Sequence, residues 1–147
     1  MRSDFPTINP LYVGRPFRFV YCSLLDYQEP NHAPFLFGCY KFDLHTGRFR
    51  EQIWGKGCLG GETLFVPRQK ARSEDDGYLL VLVNNVPLRR TELRMYDALT
   101  LGNPNCLVAT IACPRRIVPL GTHGLWVSED EVLNHGKIER RGPISRL

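Results

Sequence analysis

Tyr78-Leu-Leu-Val-Leu-Val-Asn-Asn-Val86 is the most apolar run in the chain, and its reading decides the fold class. Its hydrophobic residues are continuous rather than spaced at helical intervals, and it is short. That combination predicts a strand covered on both faces, as sheets stacked around a centre require. Working outward from it, Glu62 to Val66 is a second short strand closed by Pro67. The intervening Arg68 to Gly77 is polar and ends in Glu74-Asp-Asp-Gly77, which reads as a stable exposed turn without a chemical role.

The same pattern continues in both directions. Phe17 to Ser23 and Phe35 to Asp43 are rich in aromatic and β-branched residues. Leu44-His-Thr-Gly47 supplies a turn with glycine at its end, and Arg48 to Trp54 is the returning strand. Downstream, Glu92 to Asp97 predicts a strand with its charges outward, followed by Cys106 to Ala112 and Leu125 to Ser128. No stretch shows sustained helical periodicity, so the expectation is an all-β chain of eight strands. It divides into a β-rich body, residues 1–128, and a charged tail, residues 129–147, that has few apolar anchors.

With 147 residues the chain has room for one core. The 43% hydrophobic and 23% charged fractions are those of a water-soluble protein, and no window reaches the roughly 20 apolar residues of a membrane-spanning helix. The net charge of +4 is spread over separated doublets, Arg89-Arg90, Arg115-Arg116 and Arg140-Arg141, rather than gathered into a patch. A nucleic-acid partner is therefore not expected. Met1-Arg-Ser-Asp-Phe-Pro6 shows no secretory signal. Five cysteines without CxxC spacing argue against a disulfide framework or a zinc ribbon and point to reduced thiols in an intracellular protein. Cys39, Cys106 and Cys113 sit among apolar residues as buried small hydrophobes.

The histidines separate by context. His32 and His45 lie in turns and His135 lies in the charged tail, whereas His123 stands between Gly121-Thr and Gly124 at the entry to an apolar segment. Flanking glycines allow close backbone approach to a crowded centre. On these local features alone a structural histidine is the better reading.

Separated segments read together change that weighing. Gly60-Gly-Glu-Thr-Leu-Phe-Val-Pro-Arg68, Glu74-Asp-Asp-Gly-Tyr-Leu-Leu80 and Pro119-Leu-Gly-Thr-His-Gly-Leu-Trp126 resemble, in order and spacing, the C-terminal motifs of the carotenoid cleavage oxygenases. Asp4-Phe-Pro-Thr-Ile-Asn-Pro10, with Val13-Gly-Arg-Pro16, is similar to a fourth. The resemblance implies the C-terminal blades of a seven-bladed β-propeller that holds a mononuclear Fe(II) through four histidines. Glutamates in turn hydrogen-bond three of these histidines.

By motif, His123 is similar to the last iron ligand. Glu62 and Asp4 fall on positions of carboxylates that hold ligand histidines. A carboxylate accepting the far N–H of a ligand imidazole fixes its tautomer and aims the ring. The implied partners are a carotenoid, apocarotenoid or stilbene-like substrate and dioxygen, with peripheral membrane contact. The sequence departs from the family pattern twice, with Asp4 for a glutamate and Thr122 for a phenylalanine. It also offers no match for the other three ligand histidines. Two other readings stay open here: a non-catalytic β-rich binding or interaction module, and a small metal site using His123 with His135 or a cysteine.

Overall fold

The computed structural model describes residues 2–26, 35–115 and 123–135. They form one antiparallel sheet of strands β1 (Ser3–Thr7), β2 (Phe19–Asp26), β3 (Phe35–Asp43), β4 (Arg48–Ile53), β5 (Cys58–Pro67), β6 (Gly77–Asn85), β7 (Arg90–Asp97) and β8 (Leu107–Ala112), followed by helix α1 (Glu129–His135). The pairing divides into two four-stranded meanders, β1-β2-β3-β4 and β5-β6-β7-β8. Only the pair Leu36 and Gly60 joins them edge to edge. Elsewhere the two meanders meet through their faces.

Cross-strand partners point to the same side of a sheet, so the register sorts the residues. Leu79, Val81 and Val83 of β6 share one face with Phe65 of β5 and Tyr96 of β7. That face packs on the first meander: Tyr21 stacks on Phe65 at 5.2 Å between ring centroids, and Cys39 and Trp54 complete the core. The opposite face carries Leu64, Leu80, Leu82 and Leu93. The expectation of a strand covered on both sides holds for most of β6, although Leu82 opens outward and Val86 lies beyond the strand end.

Five expectations are revised. The strand expected over Leu125 to Ser128 is not formed, because no described strand lies alongside to take its backbone bonds. Its place in the count goes to β1, whose pairing partner β2 is distant in sequence. The charges of β7 point inward: Glu92 and Arg94 are buried and bonded to each other, with Arg94 Nη1 donating to the Trp54 carbonyl at 2.6 Å.

The Glu74-Asp-Asp-Gly77 turn is not an exposed turn but a clamp between the meanders. Both Glu74 carboxylate oxygens accept the Arg18 N–H, and Oε1 also takes the Phe19 N–H. Its neighbour Asp75 binds Lys41. Gly77 is required there, since a Cβ would lie 2.5 Å from the Phe65 ring.

Four cysteines are buried, whereas Cys113 is only half-buried at the end of β8. The start of the charged tail is helical: Ser128 and Glu131 exchange hydrogen bonds as a capping box that nucleates α1.

Candidate functional site

The position of Glu62 follows from a register shift. β5 pairs Gly60 with Val83 and Thr63 with Val81, so Gly61 and Glu62 together oppose the single residue Leu82. This is a β-bulge, which re-aims a side chain out of the regular alternation. The pair Gly60-Gly61 is the sequence signal that permits it. Glu62 is thereby turned toward the segment that follows residue 122. Its Oε2 accepts the Gly124 N–H at 2.9 Å and lies 3.5 Å from Nδ1 of His123. The first contact is a charge-assisted hydrogen bond; the second is an ion-pair distance, a few tenths of an ångström longer than a hydrogen bond.

The His123 ring is 78% exposed, while the Glu62 side chain is 15% exposed. The carboxylate is the fixed partner and the imidazole the open one. With Nδ1 facing Glu62, the far nitrogen Nε2 is the one left for another ligand.

A second bulge places the other carboxylate. β1 pairs Asp4 with Ser23 and Thr7 with Tyr21, leaving Phe5 and Pro6 opposite Cys22. Pro6 is the sequence signal, since a proline within a strand marks an edge or a bulge. The exposed Asp4 accepts the Phe5 N–H on Oδ1 at 2.7 Å, and Phe5 sits at φ 55° in the left-handed region. The Phe5 ring meets the His123 ring edge to face, with centroids 6.0 Å apart and planes at 66°. The two bulges therefore bring Glu62 and Phe5 to one histidine, with Asp4 bonded to Phe5. Sequence reasoning missed Phe5, because a strained backbone angle has no signature in a bulky residue.

Beside the pair runs a groove of about 400 Å³, walled by Leu64, Leu80, Leu82, Leu93 and Trp126. His45 is exposed in its turn and stands apart from this site, and His135 lies in α1. His32, Thr122 and the residues 119–121 of the third motif lie outside the described residues. Among the described residues no three of His, Cys, Asp and Glu gather closely enough to hold a metal ion together. The donor set thus fits one imidazole ligand with its carboxylate, and not a complete metal centre. No described helix is long and apolar enough to cross a membrane.

The chain is thus an antiparallel β protein of four-stranded meanders that carries a carboxylate-backed histidine. A family model described as Retinal pigment epithelial membrane protein matches residues 1–128. The apocarotenoid-15,15'-oxygenase of Synechocystis is 37% identical over 123 residues, covering 84% of this chain and 24% of that protein. Carotenoid cleavage dioxygenase 7 of Arabidopsis thaliana is 34% identical over 133 residues, covering 86% of this chain and 21% of its own length.

Among solved structures, a variant of the Synechocystis apocarotenoid oxygenase superposes with a TM-score of 0.73 at 34% identity, covering 85% of this chain and 25% of that one. A cobalt-substituted form of the same enzyme gives 0.69. The chain belongs to the retinal pigment epithelial membrane protein family, the family of the carotenoid cleavage oxygenases. Its all-β architecture is part of a seven-bladed β-propeller. The chain spans about a quarter of the length of the curated relatives it matches.

Proposed function

We propose that this chain supplies one iron ligand and its supporting carboxylates to an Fe(II) dioxygenase that cleaves a conjugated double bond of a carotenoid or apocarotenoid. The observation that carries the reading is the Glu62–His123 contact, in which a carboxylate anchored on the Gly124 N–H faces Nδ1 at 3.5 Å. A carboxylate in that place keeps Nδ1 protonated, aims the ring and raises the basicity of Nε2. His123 would be the ligand through Nε2. Asp4, with Oδ1 committed to the Phe5 N–H, offers Oδ2 to the imidazole of a second ligand histidine from outside this chain.

Neutral imidazoles suit Fe(II), and a set of four leaves coordination positions open. The bound ion supplies the redox chemistry by which dioxygen adds to a carbon–carbon double bond, one oxygen atom ending on each carbon as a carbonyl. The protein's part is to hold the ligand ring at a fixed angle. The names of the relatives, which act on carotenoids and apocarotenoids, and the existence of a cobalt-substituted relative support this reading.

Chimaeras of the Synechocystis enzyme fold well enough to crystallise. The test therefore replaces the matching quarter of that enzyme with residues 1–128 of this chain. The chimaera is expected to bind iron stoichiometrically and to cleave apocarotenoid. His123→Ala should lower iron content and activity at least tenfold, and Glu62→Gln should lower activity while retaining most of the iron. A folded chimaera that keeps its iron and activity when His123 is replaced by alanine would overturn the proposal.

A further inference from the structure

We infer that Asp4 acts on the candidate ligand histidine through Phe5, as a latch that holds a strained aromatic side chain against the His123 ring. This rests on the reading of His123 as a ligand and adds a second positioning device to that ring.

Several observations meet at this point. Phe5 occupies φ 55°, a conformation that side chains with a Cβ rarely adopt and that a bulky residue keeps only when its surroundings enforce it. The Asp4 carboxylate supplies the enforcing contact, accepting the Phe5 N–H at 2.7 Å in a short charge-assisted bond from the preceding residue. The register shift between Asp4 and Thr7 leaves Phe5 outside the regular ladder with β2, so its side chain is free to be re-aimed. The direction it takes is toward His123, ring edge against ring at 6.0 Å.

The arrangement answers a physical need. The His123 side chain is 78% exposed and meets its carboxylate only at 3.5 Å, so Glu62 aims the ring from one atom and leaves room for a second restraint. An aromatic wall supplies that restraint. It places the restraint in a residue whose backbone is itself pinned. Glycine would satisfy the backbone angle without strain but would remove the wall. The presence of phenylalanine at a glycine-type angle is what assigns the ring, rather than the turn, as the purpose of the strain. Asp4 and Phe5 are in this sense positioning residues.

The latch is tested on the 147-residue chain without metal, by nuclear Overhauser contacts between the Phe5 and His123 ring protons, with His123 assigned by His123→Gln. The wild type should show these contacts. Asp4→Ala should weaken them at least threefold while the methyl spectrum of the core is unchanged. Asp4→Asn, which keeps an acceptor oxygen, should restore at least two thirds of the intensity.

Phe5→Gly should raise the melting temperature, by relieving the backbone, and broaden the His123 ring signals. Full-intensity contacts in Asp4→Ala, or unchanged His123 signals in Phe5→Gly, would overturn the inference. These readouts need no metal, so they stand or fall separately from the chimaera experiment on iron binding.

Discussion

At the scale of single residues, the buried charges of β7 are the most consequential. Glu92 is 2% exposed and accepts from Arg90 Nε at 2.7 Å, from Arg94 Nε at 2.9 Å and from Arg94 Nη2 at 2.7 Å. Burial pushes its carboxyl upward, but the bonds from Arg90 and Arg94 outweigh burial and hold it below the usual range. Arg94 in turn donates to the Trp54 carbonyl, and so ties the entry of β5 to the sheet.

Removing one partner leaves the other charged and buried. Glu92→Ala is therefore expected to cost about 3–5 kcal/mol. The paired change Glu92→Leu with Arg94→Met leaves no unpaired charge and should cost only the lost bond to the Trp54 carbonyl, about 1–3 kcal/mol. Urea unfolding of both variants decides it: equal losses would mean the pair acts through packing and not through charge. His123 and Glu62 show the complementary case. Their residue types were legible from the motifs, but the 3.5 Å contact between them depends on a bulge that a residue list does not display.

At the scale of elements, the polar loop between β5 and β6 joins the two meanders. Glu74 takes backbone N–H groups of Arg18 and Phe19, its own carbonyl accepts from Asn9 Nδ2, and Asp75 holds Lys41, which also donates to the Ala98 carbonyl. The acidic run was legible as a turn. Its partners were not, because they lie 34 to 65 residues earlier in the chain and only the packing of the first meander against β5 brings them near.

Glu74→Ala removes charge-assisted bonds to two backbone donors and leaves those donors to find water. A loss of about 2–3 kcal/mol is expected. For a chain of this size that is a drop of roughly 6–10 °C in Tm. Thermal melts followed by circular dichroism check it, and an unchanged Tm would show that the meanders are held by the apolar core alone.

At the scale of the whole molecule, carboxylates with depressed pKa values set the response to acid. Asp43 is held well below its usual range, chiefly by the Arg18 guanidinium, which bonds both of its oxygens. For Asp75 burial acts upward, yet the Lys41 and Ser73 bonds bring the net shift downward, and Glu92 behaves likewise. A group whose folded pKa lies below its unfolded value stabilises the fold fully above the unfolded pKa. That stability is lost as pH falls toward the folded value. Tm should accordingly be flat between about pH 7 and 5 and fall progressively below about pH 4. A Tm that stays level down to pH 3 would remove these pairs from the account of stability.

The sequence by itself determined the class of fold and the family. Runs of aromatic and β-branched residues broken by Gly, Pro and Asp specify strands locally, and β3, β6 and β7 fall within one or two residues of where those runs place them. Motif residues such as Glu62 and His123 are chemical identities that survive without coordinates.

Tertiary structure alone decided three things. It made residues 3–7 a strand, because β2 supplies the bonds, and left 125–128 unpaired, because nothing described supplies them. It turned Glu92 and Arg94 inward, because each could satisfy the other there. It also brought Asp4, Phe5, Glu62 and His123 together, because two bulges in separate strands redirect side chains that a regular alternation would have kept apart. Local propensity acts over a few residues, whereas pairing and register join segments up to about 120 positions apart, where the physical cause is the neighbour and not the residue itself.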